Sequence, residues 1–233
     1  MSSRCRPVVL GLAVAFSLLY AVGCGSSSSS TSNTAQVRIL NASPQQQSLN
    51  LLLDNNTIQT GIVSQSASAY AAQPAGNHTV QLEASNSSSA LVTQNVSLSS
   101  GNYYTILAVE PSFASSSLTM SLLTDNNAAP SSGNFTLRII NASPDFGNLD
   151  AYVTAPGAGV TGSASVSNLA FQGASSYQTL TAGSYEVYFT LAGQQVISVD
   201  SGPMTFSSGQ IRTLVLLDNF GSGFTSALIA DLN

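Results

Sequence analysis

The sequence predicts an all-β chain: two tandem Ig-like antiparallel β-sandwich domains behind a signal peptide and a serine-rich linker. Three observations lead there. The apolar pattern has a period of two, one block of sequence is written twice, and Gly, Ser, Asn and Pro turn signals recur at strand-length intervals. Tyr185, Val187, Phe189 and Leu191 alternate with Glu186, Tyr188 and Thr190, and His78, Val80 and Leu82 alternate with Thr79, Gln81 and Glu83. No helix-length apolar pattern occurs after residue 35. Ser-Ser-Gly at 99–101 and again at 207–209 reads as a hairpin turn into a more buried strand, Tyr103–Glu110 and Ile211–Asp218. Seven or eight short strands per copy make a sandwich.

The duplication is ordered. Val37-Arg38-Ile39-Leu40-Asn41-Ala42-Ser43-Pro44 returns 100 residues later as Leu137-Arg138-Ile139-Ile140-Asn141-Ala142-Ser143-Pro144. Tyr70 with Ala75-Gly76 returns as Tyr177 with Ala182-Gly183, and Leu118–Asp125 returns as Phe224–Asp231. The boundaries that follow are 1–23 for a leader, 24–35 for a modified cysteine and spacer, 36–126 and 135–233 for two domains, and 127–134 for the linker. Asp125 and Asp231, matched near each domain's end, are expected to serve a shared structural turn.

The leader reads as Arg4 and Arg6 followed by the apolar run Val8–Val22, too short for the roughly 20 residues of a spanning helix. It closes on Leu19-Tyr20-Ala21-Val22-Gly23-Cys24, which resembles a bacterial lipobox and marks Cys24 as the acylated N-terminus. Gly25 and Ser26–Ser30 then form a flexible spacer. The expected location is the cell envelope, tethered to the membrane by lipid on Cys24. Because Gly25 is not the Asp of inner-membrane retention, the outer membrane or cell surface is favoured. Cys5 leaves with the leader, so no disulfide is available.

Composition bounds the chemistry. The chain has no Lys and five Arg, and its formal charge is −5. From Cys24 onward only Arg38, Arg138 and Arg212 remain, too few to neutralise nucleic-acid phosphates. The lone histidine, His78, stands where the second copy has Tyr185, which fits a packing or edge position better than a catalytic base. No Gly-x-Ser-x-Gly occurs. Asp145 and Asp150 flank one turn, but Gln45 and Asn50 replace them in the first copy, so they read as turn residues and Asp150 as facing solvent. Asp54-Asn55-Asn56 and Asp125-Asn126-Asn127 lack the spacing of a calcium loop. No cofactor and no metal is expected, and no enzymatic activity. Contacts to envelope proteins or polysaccharide are expected at Tyr104, Tyr152, Tyr188, Asp145 and Asp150, since exposed Tyr can stack on sugars or anchor a partner.

Each copy also resembles the DUF4397 domain. The second copy carries the family's pattern as Asn141–Asp145, Leu149–Val153, Ser175-Ser176-Tyr177 and Thr181–Tyr185. The first carries it as Asn41–Pro44, Ser68-Ala69-Tyr70, Pro74-Ala75-Gly76 and Gly101–Thr105, departing at Gln45-Gln46-Gln47 and at Asn50. The resemblance implies an exported Ig-like domain, often in tandem on bacterial surfaces, with no biochemical role attached. The leading reading is a non-catalytic structural, adhesive or protein-interaction lipoprotein; the alternative is a polysaccharide-binding module using Tyr, Asn and Gln.

Overall fold

The computed structural model describes residues 33–112, 115–219 and 221–232, and Ser32–Asn233 forms one compact unit. Cys24 and the leader lie outside the described residues. Every described element is a strand. The first half runs β1 (Thr34–Asn41), β2 (Ser48–Leu53), β3 (Asn56–Val63), β4 (Ser66–Ala67), β5 (Ala71–Pro74), β6 (Gly76–Ala84), β7 (Ala90–Leu98), β8 (Tyr103–Val109) and β9 (Thr119–Asp125). The second runs β10 (Asn134–Asn141), β11 (Leu149–Thr154), β12 (Val166–Leu169), β13 (Gln178–Thr181), β14 (Gly183–Leu191), β15 (Val199–Asp200), β16 (Met204–Phe206), β17 (Ile211–Asp218) and β18 (Phe224–Ala230).

Each half is a sandwich of two sheets with the same order. One sheet of the first half is β4-β1-β8-β9, with β5 also on β1, and it faces β3-β2-β6-β7. In the second half β13-β10-β17-β18 faces β12-β11-β14-β15, with β16 also on β14. The all-β sandwich is the fold read from the alternation. The ladders are antiparallel except for one pair per half: β1 lies parallel to β8, and β10 parallel to β17. Between these parallel partners the chain builds the opposite sheet and lays short strands on the far edge of the first one, β4 and β5 on β1 and β13 on β10.

The alternation explains the cores. Val37, Ile39, Tyr104 and Ile106 point into the first sandwich against Leu49, Leu51, Val80 and Leu82. Phe135, Leu137, Ile139 and Leu214 do the same in the second, against Val187 and Phe189. Leu40, Leu107 and Val109 therefore point outward, and so do Ile140, Val215 and Leu217. These outward rows pack on each other in a third apolar cluster shared by the two halves. The inner sheets are buried on both faces, so the molecule has four layers and one seam. The segment between Asp125 and Asn134 contains no strand.

Charge is buried in that seam. Arg38 lies one residue before Ile39 and so faces the seam, where Nη2 donates to Asp231 Oδ1 at 2.7 Å, Nη1 to the Ala230 carbonyl at 2.9 Å and Nε to Thr105 Oγ1 at 2.8 Å. Arg138 repeats the arrangement on the other half: Nη1 pairs with Asp125 Oδ1 at 2.8 Å and Nε donates to Thr213 Oγ1 at 3.2 Å. Each arginine reaches the acid at the end of the other half's last strand, so the two pairs cross. Asp125 also accepts from Tyr70 at 2.7 Å and Thr105 at 2.6 Å, and Asp231 from Tyr177 at 2.6 Å and Thr213 at 2.9 Å. The guanidinium of each Arg lies 4.7 Å from the ring centre of its own half's tyrosine, Tyr70 or Tyr177. Burial opposes the charged form of Arg38, but Asp231, Tyr70 and Asp125 together outweigh it and hold the guanidinium above its ordinary value. Burial pushes both phenols up, which keeps Tyr70 and Tyr177 as donors.

This corrects the reading of Asp125 and Asp231 as turn residues. They are buried acceptors for a cation from the opposite half. Removing one partner of a buried pair leaves the other ion uncompensated at a cost of about 3–5 kcal/mol. Arg38→Ala is therefore expected to lower the urea unfolding free energy by about that amount, with both halves still lost in one transition. A loss below about 1 kcal/mol contradicts the buried-pair account.

Candidate functional site

The repeated Asn-Ala-Ser-Pro block ends the first strand of each half and closes the turn behind it. Asn41 Nδ2 donates to the carbonyls of Gln46 and Ile62 at 2.9 and 3.0 Å, while its Oδ1 accepts from Ser43 N at 3.1 Å. Asn141 does the same with Gly147, Leu169 and Ser143. A fully buried amide thus satisfies backbone groups that a turn would otherwise leave unpaired. Ser43 Oγ donates to Glu110 Oε1, and Ser143 Oγ to Asp218 Oδ1. The motif is structural in both halves.

The residues picked out from the sequence are not gathered into one site. Tyr104 faces the first core, its hydroxyl accepting from Ser99 N at 3.1 Å. Tyr152 and Tyr188 are register partners on β11 and β14. They occupy the outer face of that sheet, which polar ties to the chain segments around it help to close. Gly157 N donates to Glu186 Oε2, Asn168 N to Asp150 Oδ1 at 2.7 Å and Gly193 N to Asp150 Oδ2 at 2.8 Å. The Tyr188 hydroxyl donates to Glu186, which holds that carboxylate low and the phenol high. All three tyrosines are only 5% exposed, which corrects the expectation of free rings. Asp150, read as solvent-facing, is 7% exposed and filled by backbone donors. Asp145 alone stands exposed, on the turn beside Asp218 and residues 221–224.

The sequence reading missed the grooves along the seam. One, of about 620 Å³, is lined by Gln36, Ser68, Tyr70, Tyr103 and Asp231. Tyr70 and Tyr103 meet edge to face in it, 5.1 Å apart at 87°. Its counterpart in the other half, about 490 Å³, holds Arg138 and Tyr177 beside Leu122 and Thr124. The available signal was Tyr70 and Tyr177 recurring beside the repeated Arg38 and Arg138 in a chain of few arginines. A third hollow surrounds His78, whose Nδ1 lies 2.7 Å from Asp54 Oδ2 and Nε2 2.9 Å from the Pro74 carbonyl. That second contact repeats in the other half as Tyr185 Oη to the Thr181 carbonyl, 2.9 Å, so His78 does fill a position shared with Tyr185. The hydrogen bond from His78 holds the Asp54 carboxyl below its usual range. Among the described residues no group of three or more His, Cys, Asp or Glu is placed to hold a metal.

The model of the family described as "Domain of unknown function (DUF4397)" matches residues 35–152, just over half of the chain. The chain belongs to the DUF4397 family. The match starts in β1 and ends in β11, so it holds both Asn-Ala-Ser-Pro blocks. No curated protein matches the sequence. Solved structures with similarity include a family 41 carbohydrate-binding module from streptococcal virulence factors, described for α-glucan recognition. It is 12% identical, with 78% of this chain and 93% of that one covered, at a TM-score of 0.27. A family 26 module of Eubacterium rectale Amy13K, solved with maltoheptaose, is 10% identical over 84% and 95%, at 0.25. The Bacillus anthracis TIE protein is 12% identical over 83% of this chain, which spans only 34% of that protein, at 0.26. Likeness at this level carries no functional weight.

One feature of this DUF4397 protein sets its pH response. Glu110 and Asp218 are equivalent buried acids at the ends of β8 and β17, and among the described residues each has one oxygen without a hydrogen-bond partner. Burial pushes both carboxyls up, with the Ser43 and Ser143 hydroxyls pulling the other way. An acid raised in the folded state stabilises fully below its unfolded pKa and loses that contribution as pH rises through the folded value. Glu110→Gln and Asp218→Asn are thus expected to melt higher than wild type at neutral pH, with the gap closing toward the ordinary carboxylate range. Thermal melts across pH check this; variants less stable than wild type at neutral pH would show that the ionised forms are needed.

Proposed function

We propose that this DUF4397 protein is a non-catalytic β-sandwich module of the bacterial cell envelope, tethered by lipid on Cys24 and acting through surface contacts with other envelope components. In this reading residues 135–233 are a second copy of the family domain, and the serine-rich segment after Cys24 spaces the pair from the lipid surface. One observation carries the non-catalytic part. Most of the buried charged groups are spent on the architecture: Arg38, Arg138, Asp125 and Asp231 cross the seam, while Asp150 and Glu186 hold loops. What faces solvent around them is largely Ser, Thr, Asn and Gln, suited to contact rather than bond-breaking. The lipobox-like Leu19–Cys24 and the leader before it support the tether. Feeding cells labelled palmitate tests it: wild type takes up label and fractionates with membranes, while Cys24→Ser does neither. A labelled, membrane-bound Cys24→Ser protein contradicts lipidation at this cysteine.

Polysaccharide binding is the second reading, favoured by the seam groove with Gln36, Tyr70 and Tyr103. It needs an aromatic face, and Tyr103, half-buried at the groove's mouth, is the candidate. Glycan-array screening of residues 32–233 is expected to give signals that Tyr103→Ala removes with the melting temperature little changed. Stacking on an aromatic ring is worth about 1–3 kcal/mol, so a sugar bound there is expected to weaken by roughly 5- to 150-fold. Silence of the wild type across plant and bacterial polysaccharides rules this reading out.

A further inference from the structure

A sheet edge exposes a row of unpaired N–H and C=O groups, and stable proteins shorten, bulge, break, charge or cover their edges. Nearly every edge of this molecule is managed in one of those ways. On the inner sheets, β9 and β18 run beside the opposite half, which reaches their backbone through Arg138 to the Thr124 carbonyl and Arg38 to the Ala230 carbonyl. At the other side of those sheets β4, β5 and β13 are two to four residues long. On the outer sheets, β3 shifts register twice against β2 and carries Gly61 at φ +68°. The four-residue β12 is irregular against β11. The edge beyond β14 is broken into two- and three-residue pieces, β15 and β16, by Ser201-Gly202-Pro203.

Strand β7, which holds the corresponding place in the first half, is different. It is nine residues long, and Val92–Leu98 stays in unbroken register with β6 from Leu82 back to Gly76. It contains no Gly, no Pro and no charged residue. The same topology thus has its outer edge broken in one half and left open in the other.

We infer that β7 is an interaction edge, and that its occupant is β7 of a second copy, paired antiparallel about Asn95. The side chains fit that register. Val96 and Leu98 are buried in the first core and Val92 packs against it. Pairing about Asn95 sets Val92 beside Leu98 and Gln94 beside Val96 on the core side, with Thr93 beside Ser97 on the other. The two cores then continue into each other across one eight-stranded sheet. No like charges meet along the strand, although the chain is acidic overall. A two-fold contact of this kind uses the same patch on both subunits and closes on itself. With the other outer edges broken or bulged, assembly stops at two copies.

Sedimentation of residues 32–233, the compact unit, tests this. Wild type is expected to form a concentration-dependent dimer. Gln94 is exposed and central to the register, so Gln94→Lys places a charge against Val96 of the other copy and abolishes the dimer with an unchanged melt. Should that variant unfold, Thr93→Lys on the opposite, exposed side of the strand reads the same contact. Val196→Lys, at the 71% exposed loop tip in the second half, is expected to leave the dimer intact. A wild type that stays monomeric up to ~100 μM, where a self-contact with a dissociation constant of that size is half-formed, overturns the proposal. So does a dimer that survives both β7 variants, or one that Val196→Lys removes.

Discussion

Two crossed ion pairs set the architecture. Arg38 with Asp231, and Arg138 with Asp125, are buried between sheets that also carry the apolar cluster of Leu40, Leu107, Ile140 and Val215. The apolar rows alone would tolerate sliding, because hydrophobic contact is not directional. The pairs do not tolerate it. Each guanidinium is fixed by its Thr, its Tyr and an acid from the opposite half, so a shift of one sheet on the other leaves charges buried and unmatched. Desolvating these ions is costly, and their attraction mainly offsets that cost. What they contribute is one alignment.

From that alignment much else follows. The inner sheets are buried on both faces and cannot offer a binding surface, which leaves the outer sheets, their edges and the two seam grooves. In the second half, the outer face around Tyr152 and Tyr188 is tied to neighbouring loops through Asp150 and Glu186. In the first half Asn50 stands in place of Asp150, accepting from Gly61 N and Ser85 Oγ, and the equivalent sheet ends in the long strand β7. The halves share a topology but not a surface.

The sandwich was legible because a half-buried strand writes its own period. Val80 and Leu82, or Val187 and Phe189, could be assigned to a core without any partner in view. The second copy of Arg38 and Asn41 at Arg138 and Asn141 was legible too, but its meaning was not. An arginine in a strand reads as solvent-facing, and only the pairing of halves shows that it faces a second sheet. Asp125 and Asp231 misled for the same reason, since their partners lie in the other half. Tyr152 and Tyr188 misled because alternation assigns a side of a sheet and is silent on what covers that side, whereas Tyr104 lies on the core side with Ile106. The seam grooves depend entirely on how the halves meet.

The crossed pairs require the two halves to open as one body. Native-state hydrogen exchange measures it directly, with amides of β6 and β14 as reporters of the first and second sandwiches. Equal opening free energies are expected for the two strands, with an equal drop in both when Arg138 is replaced by Ala. Protection lost in β14 while β6 keeps its full value would mean that the halves are independent domains, and would contradict that requirement.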